Sequence, residues 1–160
     1  GLAVEHWDNI QARLGPNQSG HSMVDGPTES TDHALTEQNR ALVRSFVDKV
    51  LIGNQPDLLS DYIDVGNYTE HNPRLADDMS TLHNALERRE KGLRHTDYHL
   101  VHRVLAEGNF VLCISEGKIE GTTSAFYDLF RVTGGKLVEH WDTTEKIAPR
   151  EEWKNDNGKF

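Results

Sequence analysis

From residue 96 to residue 145 the chain reads as four strand-length segments separated by glycine turns, and this run limits the possible folds more than any other feature. Residues 96–106, 109–118, 122–132 and 136–145 are rich in β-branched and aromatic side chains. Glu107-Gly108, Glu120-Gly121 and Gly134-Gly135 stand between them as turn signals. Turns this short join antiparallel neighbours, so the spacing predicts a meander. Ahead of it the pattern is helical. Leu42, Val43, Phe46, Val47, Val50 and Leu51 recur at helical spacing over residues 36–52, with Thr36 placed to cap the start and Gly53-Asn54 to stop the end. Pro56 suits the first turn of a short helix over 56–62. Residues 67–71 read as extended, ended by Asn72-Pro73. A third helix is predicted over 78–91, with Leu82, Ala85 and Leu86 on one side and Gly92 at its C-cap. Helices followed by an antiparallel meander mean α+β, with the helices on one face of a curved sheet around a deep, mostly apolar cavity.

The two ends of the chain repeat one another. Residues 1–8, Gly-Leu-Ala-Val-Glu-His-Trp-Asp, match residues 135–142, Gly-Lys-Leu-Val-Glu-His-Trp-Asp, at six of eight positions. Asn17-Gln-Ser-Gly20 then follows the first copy as Asn155-Asp-Asn-Gly158 follows the second. The offset is about the size of a small domain. The expected division is therefore 1–34, a terminal strand of a preceding repeat copy plus linker, and 35–160, one domain. The alternative is an N-terminal arm that adds its strand to a sheet edge, its own or a partner's.

Composition excludes several classes. A formal charge of -9 argues against binding nucleic acid. No apolar run is long enough to span a bilayer, and no signal peptide is visible, which favours the cytoplasm. The single cysteine, Cys113, sits in an apolar run and reads as a buried hydrophobe rather than a nucleophile. No glycine-rich phosphate loop is present. His95, Asp97 and His99 alternate and would share a strand face; a solvated strand entry is preferred over a metal site there.

Four motifs in order, Tyr68-Thr-Glu-His-Asn-Pro73, Leu105-Ala-Glu-Gly-Asn-Phe-Val111, Phe126-Tyr-Asp-Leu-Phe-Arg-Val132 and Gly135-Lys-Leu-Val-Glu-His-Trp-Asp142, resemble the signatures of SnoaL-like polyketide cyclases, in the nuclear transport factor 2-like superfamily. The resemblance spans about residues 36–160. It implies a cone-shaped α+β fold, with three N-terminal helices on a curved, mostly antiparallel sheet enclosing a pocket. It also implies a homodimer, no cofactor and acid–base chemistry, such as an aldol cyclisation or isomerisation, on a small hydrophobic or carbonyl-containing molecule. The family's acid–base aspartate maps to Asp128 and its His-Asn-Pro histidine to His71. Ile114 takes a strand position where many relatives carry histidine.

The residues support a site of this kind. Phe126, Asp128 and Phe130 alternate, so they line one face of a strand. A carboxylate between two phenylalanines is costly to ionise, which suits a general acid or base. The bland alternative pairs Asp128 with an arginine such as Arg103. His71 and Tyr68 reach the mouth of the cone, or else the histidine caps backbone groups. Leu137, Glu139 and Trp141 share a face. Taking Leu137 as core puts Glu139 and Trp141 on the pocket wall beside Ile114, and His140 toward a partner subunit; a bulge would invert this. The candidate catalytic residues are thus Asp128 and His71, and the candidate ligand-binding residues are Tyr68, Phe126, Phe130, Trp141, Ile114 and Glu139. A non-catalytic module holding a hydrophobic ligand, and a structural domain with a filled cone, are the rival readings.

Overall fold

The computed structural model describes residues 1–90 and 96–160; the expected cap Gly92 and the candidate residue His95 lie outside the described residues. Helix α1 (Thr36–Phe46) runs on through a wider π turn over Val47–Ile52. Its Val43, Phe46, Val47 and Val50 face inward and are almost wholly buried. Thr36 does not cap this helix as expected. It is the first helical residue, and its hydroxyl accepts instead from Gly108 N–H at 2.9 Å, tying α1 to a strand turn. Asn54, at φ 53°, turns the chain out of the helix. A single turn, α2 (Leu59–Tyr62), and strand β1 (Thr69–Glu70) lead to α3 (Met79–Glu90).

The four expected strands follow as β2 (Thr96–Glu107), β3 (Phe110–Ile119), β4 (Thr122–Thr133) and β5 (Lys136–Lys146). The sheet order is β1-β5-β4-β3-β2, antiparallel throughout except where β1 pairs parallel with β5. One face, here called inner, packs on the helices. Phe130 meets Phe46 edge-on at 5.5 Å, and Val111, Cys113, Val132 and Leu137 join the same core. Burying one such aromatic side chain contributes roughly 2–3 kcal/mol.

The register contains a bulge that decides the site. Arg131 pairs with Glu139 and Val132 with Leu137, so Val138 has no partner across the ladder. Leu137 faces inward as expected. The extra residue then turns the strand over, so that His140 and Asp142 also face inward while Glu139 and Trp141 face outward.

The segment before α1 lies along the sheet. Asn9 Nδ2 donates to Thr143 C=O at 2.7 Å, and Gln11 Oε1 accepts from Thr144 N–H at 2.6 Å. These bonds cover the edge of β5 beyond the short β1. Farther on, Thr31 C=O accepts from Asn109 N–H at 2.8 Å and Asn109 Oδ1 accepts from Thr31 N–H at 2.9 Å. Among the described residues no helix is long and apolar enough to cross a membrane.

Candidate functional site

Asp128 sits mid-strand on β4 with no solvent exposure. Its Oδ1 accepts from the Tyr98 hydroxyl at 3.0 Å and lies 3.3 Å from His140 Nε2. Among the described residues its buried Oδ2 has no hydrogen-bond partner, and neither has Ser115 Oγ, on the same face of the neighbouring strand. Leaving a buried carboxylate oxygen unbonded is costly, so such an atom is a natural point for a ligand donor or proton.

His140 continues the chain of contacts. Its Nδ1 stands 2.9 Å and 3.1 Å from the two carboxylate oxygens of Glu70, which is 1% exposed. Burial opposes charge on this imidazole, but the carboxylates of Glu70 and Asp128 outweigh it and hold His140 well above the ordinary histidine range. Burial likewise works to raise Glu70, yet the His140 cation, then the Asn72 N–H and the Tyr68 hydroxyl, bring its carboxyl below the usual value. The ring is therefore an imidazolium held between two carboxylates. Glu70 is further fixed by the Tyr68 hydroxyl at 2.8 Å and the N–H groups of His71 and Asn72 at 3.0 and 2.9 Å. Burial, followed by the Glu70 charge, keeps the Tyr68 phenol far above its normal range, so it remains a donor.

Asp142 completes the inner cluster. It is the cross-strand partner of Asp128, and its Oδ2 accepts from Asn72 Nδ2 at 2.7 Å. Burial pushes its carboxyl up to about 6. Phe126 under Tyr98 at 4.5 Å and Phe130 stacked on His140 at 4.7 Å supply the apolar walls. Cys113, on the same face, has its thiol pushed up to about 12 by burial, then by the Asp128 charge. It is a poor nucleophile.

The residues singled out from the sequence fall on two faces. Asp128, Phe126, Phe130 and Tyr68 come together on the inner face. His71, Glu139, Trp141 and Ile114 lie on the outer one. Ile114 pairs with Tyr127, one position out of phase with the Cys113–Asp128 pair. His71 Nε2 bonds Glu139 Oε1 at 2.9 Å, Glu139 Oε2 accepts from Arg131 Nε at 2.6 Å, and the His71 ring stacks on Trp141 at 4.6 Å. Arg103, the arginine expected to pair with Asp128, lies instead over the Trp7 ring at 5.1 Å. His140 and Glu70, which sequence reasoning did not select, take the places next to Asp128. Their only sequence signal was membership of the repeated Glu-His-Trp-Asp and the Thr-Glu-His-Asn-Pro motifs.

Among the described residues, two hollows open on the surface. One of about 240 Å³ lies by Glu145, Ala148, Trp153 and Lys159, and one of about 420 Å³ by Asn54, Leu58 and His83; neither reaches Asp128. Among the described residues no group of three or more His, Cys, Asp or Glu is arranged to hold a metal ion.

No family model matches the chain, and no curated protein matches it in sequence. Solved structures do. A candidate ketosteroid isomerase from Kribbella flavida superposes with a TM-score of 0.57 at 18% identity, covering 77% of this chain and 91% of that one. A nuclear transport factor 2-like protein of unknown function from Cytophaga hutchinsonii gives 0.55 at 21% identity, over 75% and 95%. A SnoaL-like polyketide cyclase from Agrobacterium tumefaciens gives 0.54 at 11% identity, over 68% and 91%. Helices on a five-stranded mixed sheet, in the same arrangement as these proteins, give the chain the nuclear transport factor 2-like α+β fold to which its four motifs point.

Proposed function

We propose that the protein is an enzyme that needs no cofactor and moves a proton on a small hydrophobic carbonyl compound, in a cyclisation or isomerisation of the aldol–enol type. The observation that carries this reading is the unpartnered Oδ2 of Asp128, buried on an apolar wall while Oδ1 is held by Tyr98 and His140. Asp128 is the base: Oδ2 takes the proton from the carbon beside the carbonyl, the C–H electron pair moves into an enolate, and the same oxygen returns the proton at the new position. The His140–Glu70 pair and the Tyr98 hydroxyl hold Asp128 by Oδ1, which leaves Oδ2 for the substrate. Phe126, Phe130 and Tyr68 give the substrate its apolar surroundings. His71, Glu139 and Trp141 act only through the sheet they brace. The homodimer implied by the motifs is part of this reading and is checked by sedimentation.

The direct test follows deuterium uptake beside the carbonyl, and the shift of a β,γ-unsaturated cyclic ketone into conjugation, over a panel of small ketones. Asp128→Asn should lower the rate by about 10²–10⁴-fold with the fold intact. Wild-type rates in that variant would remove Asp128 from the chemistry. The complete burial of Asp128 favours a second reading, ligand binding without turnover. Saturable binding of the same ketones with no deuterium uptake would establish that reading instead.

A further inference from the structure

Strand β1 is two residues long and lies at the sheet edge, so of all the strands it is held by the fewest ladder bonds. On its β5 side, His71 N–H donates to His140 C=O at 2.9 Å. Backbone groups alternate in direction along a strand, which turns the N–H and C=O of Glu70 away from β5. An edge strand ordinarily leaves such groups to water. Here two side chains take them. Glu70 N–H donates to Asp77 Oδ1 at 3.0 Å, and Asn17 Nδ2 donates to Glu70 C=O at 2.6 Å.

Asn17 belongs to the segment ahead of α1, yet it is as buried as the core, at 6% exposure. Its Oδ1 accepts from Ser19 N–H and His21 N–H, both at 3.0 Å, so the amide is locked with its NH₂ toward Glu70. The same loop also secures the other clamp: Asp77 N–H donates to Ser19 Oγ at 3.0 Å, and His21 Nε2 lies 3.0 Å from Asp77 Oδ2. Among the described residues, the two bonds to the Glu70 backbone from outside β5 thus pass directly or at one remove through residues 17–21.

We propose that residues 17–21 are part of the functional site, with Asn17 a positioning residue that fixes Glu70 against His140 and so His140 against Asp128. The inference rests on the acid–base reading above. It also gives the repeat a meaning. The second copy of the Asn-x-x-Gly motif, Asn155 to Gly158, lies with Glu145 and Lys159 beside the far end of β5, away from β1. Only the first copy reaches the site, and it does so from before the first helix.

The test needs the full chain and one readout that requires no substrate. Asn17→Asp keeps the side-chain shape but sets an oxygen against the Glu70 carbonyl; Asn17→Ala removes the group. Ser19→Ala, a milder change, loosens Asp77 alone. The titration of His140 is followed by imidazole ¹H–¹⁵N NMR. The groups facing that ring are Glu70 and Tyr68 from the β1 side, Asp128 and Phe130 from β4, and Asp142 on its own strand. Both Asn17 variants should move His140 down toward the ordinary histidine range and lower kcat on the ketone panel about three- to tenfold at nearly constant KM, the worth of one hydrogen bond. Ser19→Ala should do the same to a smaller degree. Asn39→Ala serves as a control, because Asn39 Nδ2 donates to Gly108 C=O far from β1 and its loss costs stability only. An unmoved His140 titration in both Asn17 variants, or an equal movement in Asn39→Ala, would overturn the proposal. Absence of turnover in the wild type would remove the acid–base reading while the titration still decides whether Asn17 positions Glu70.

Discussion

His140 on β5 reaches across to Asp128 on β4, Nε2 to Oδ1 3.3 Å, while its other nitrogen is held by Glu70. A buried imidazolium between two carboxylates is stable only while both are present. Glu70→Gln keeps an oxygen for the Tyr68 hydroxyl and the backbone donors but removes the balancing charge. We expect it to cost about 3 kcal/mol of unfolding free energy in urea at neutral pH. A loss below about 0.5 kcal/mol, the usual size of a surface change, would mean that the pair is not charged.

Stability should peak at mildly acidic pH. His140 is raised in the fold, so its contribution is full below the unfolded histidine value of about 6.5 and fades as pH climbs through the higher folded value. Asp142, raised to about 6, acts in the same sense: its neutral form is favoured by the fold, and stability falls as pH rises through that value. Glu70 is lowered, so its contribution is lost only at the acid end, as pH drops through its depressed value. Asp142→Asn retains an acceptor for Asn72 and removes the charge. It should add about 2 kcal/mol at pH 8 and almost nothing at pH 4. Equal effects at both pH values in chemical denaturation would refute this assignment.

Cys113 should be inert in the folded protein. With its thiol pushed up to about 12 and no solvent exposure, it holds almost no thiolate at neutral pH. Its reaction with an aromatic disulfide should follow the global unfolding rate, and fast labelling under native conditions would show that the inner face of β3 opens locally.

Gly108 carries a larger constraint than a turn alone requires. Its φ is +58°, and a Cβ there would collide with the Thr31 carbonyl. Gly108→Ala should therefore strain the turn and lift the segment before α1, at a cost of roughly 1–3 kcal/mol. Hydrogen exchange at Asn109 N–H, which donates to Thr31 C=O, should speed up in that variant; unchanged protection would show that the segment accommodates the methyl group.

Much of the fold is legible in the sequence because its signals are local. Glycine turns at 107–108, 120–121 and 134–135 set the hairpins, and the observed strands begin and end within a residue or so of the expected ones. Half of the site is legible for the same reason: alternation along an unbroken strand puts Phe126, Asp128 and Phe130 together. The other half is not. The bulge at Val138 is set by how β5 pairs with β4, and no glycine or proline at 138 announces it. Strict alternation from Leu137 therefore selects Glu139 and Trp141 where the fold presents His140 and Asp142. Glu70 escapes because a two-residue strand has no period to read, and the adjacent His71 carries the more conspicuous chemistry. Asn17 lies 53 residues before its partner, in a stretch whose composition reads as linker.

The single unpaired residue at Val138 also makes β5 a strand with two possible interiors. Losing one codon there would close the ladder without a bulge and still leave His140 opposite Phe130 and Asp142 opposite Asp128, whereas smoothing out the bulge with every residue kept would slide the rest of the strand by one position and present Glu139 and Trp141 to the helices. The same Glu-His-Trp-Asp letters would then spell a different lining, without a single amino-acid substitution. One residue of register on β5 thus separates two linings, a difference that no comparison of the letters alone would register.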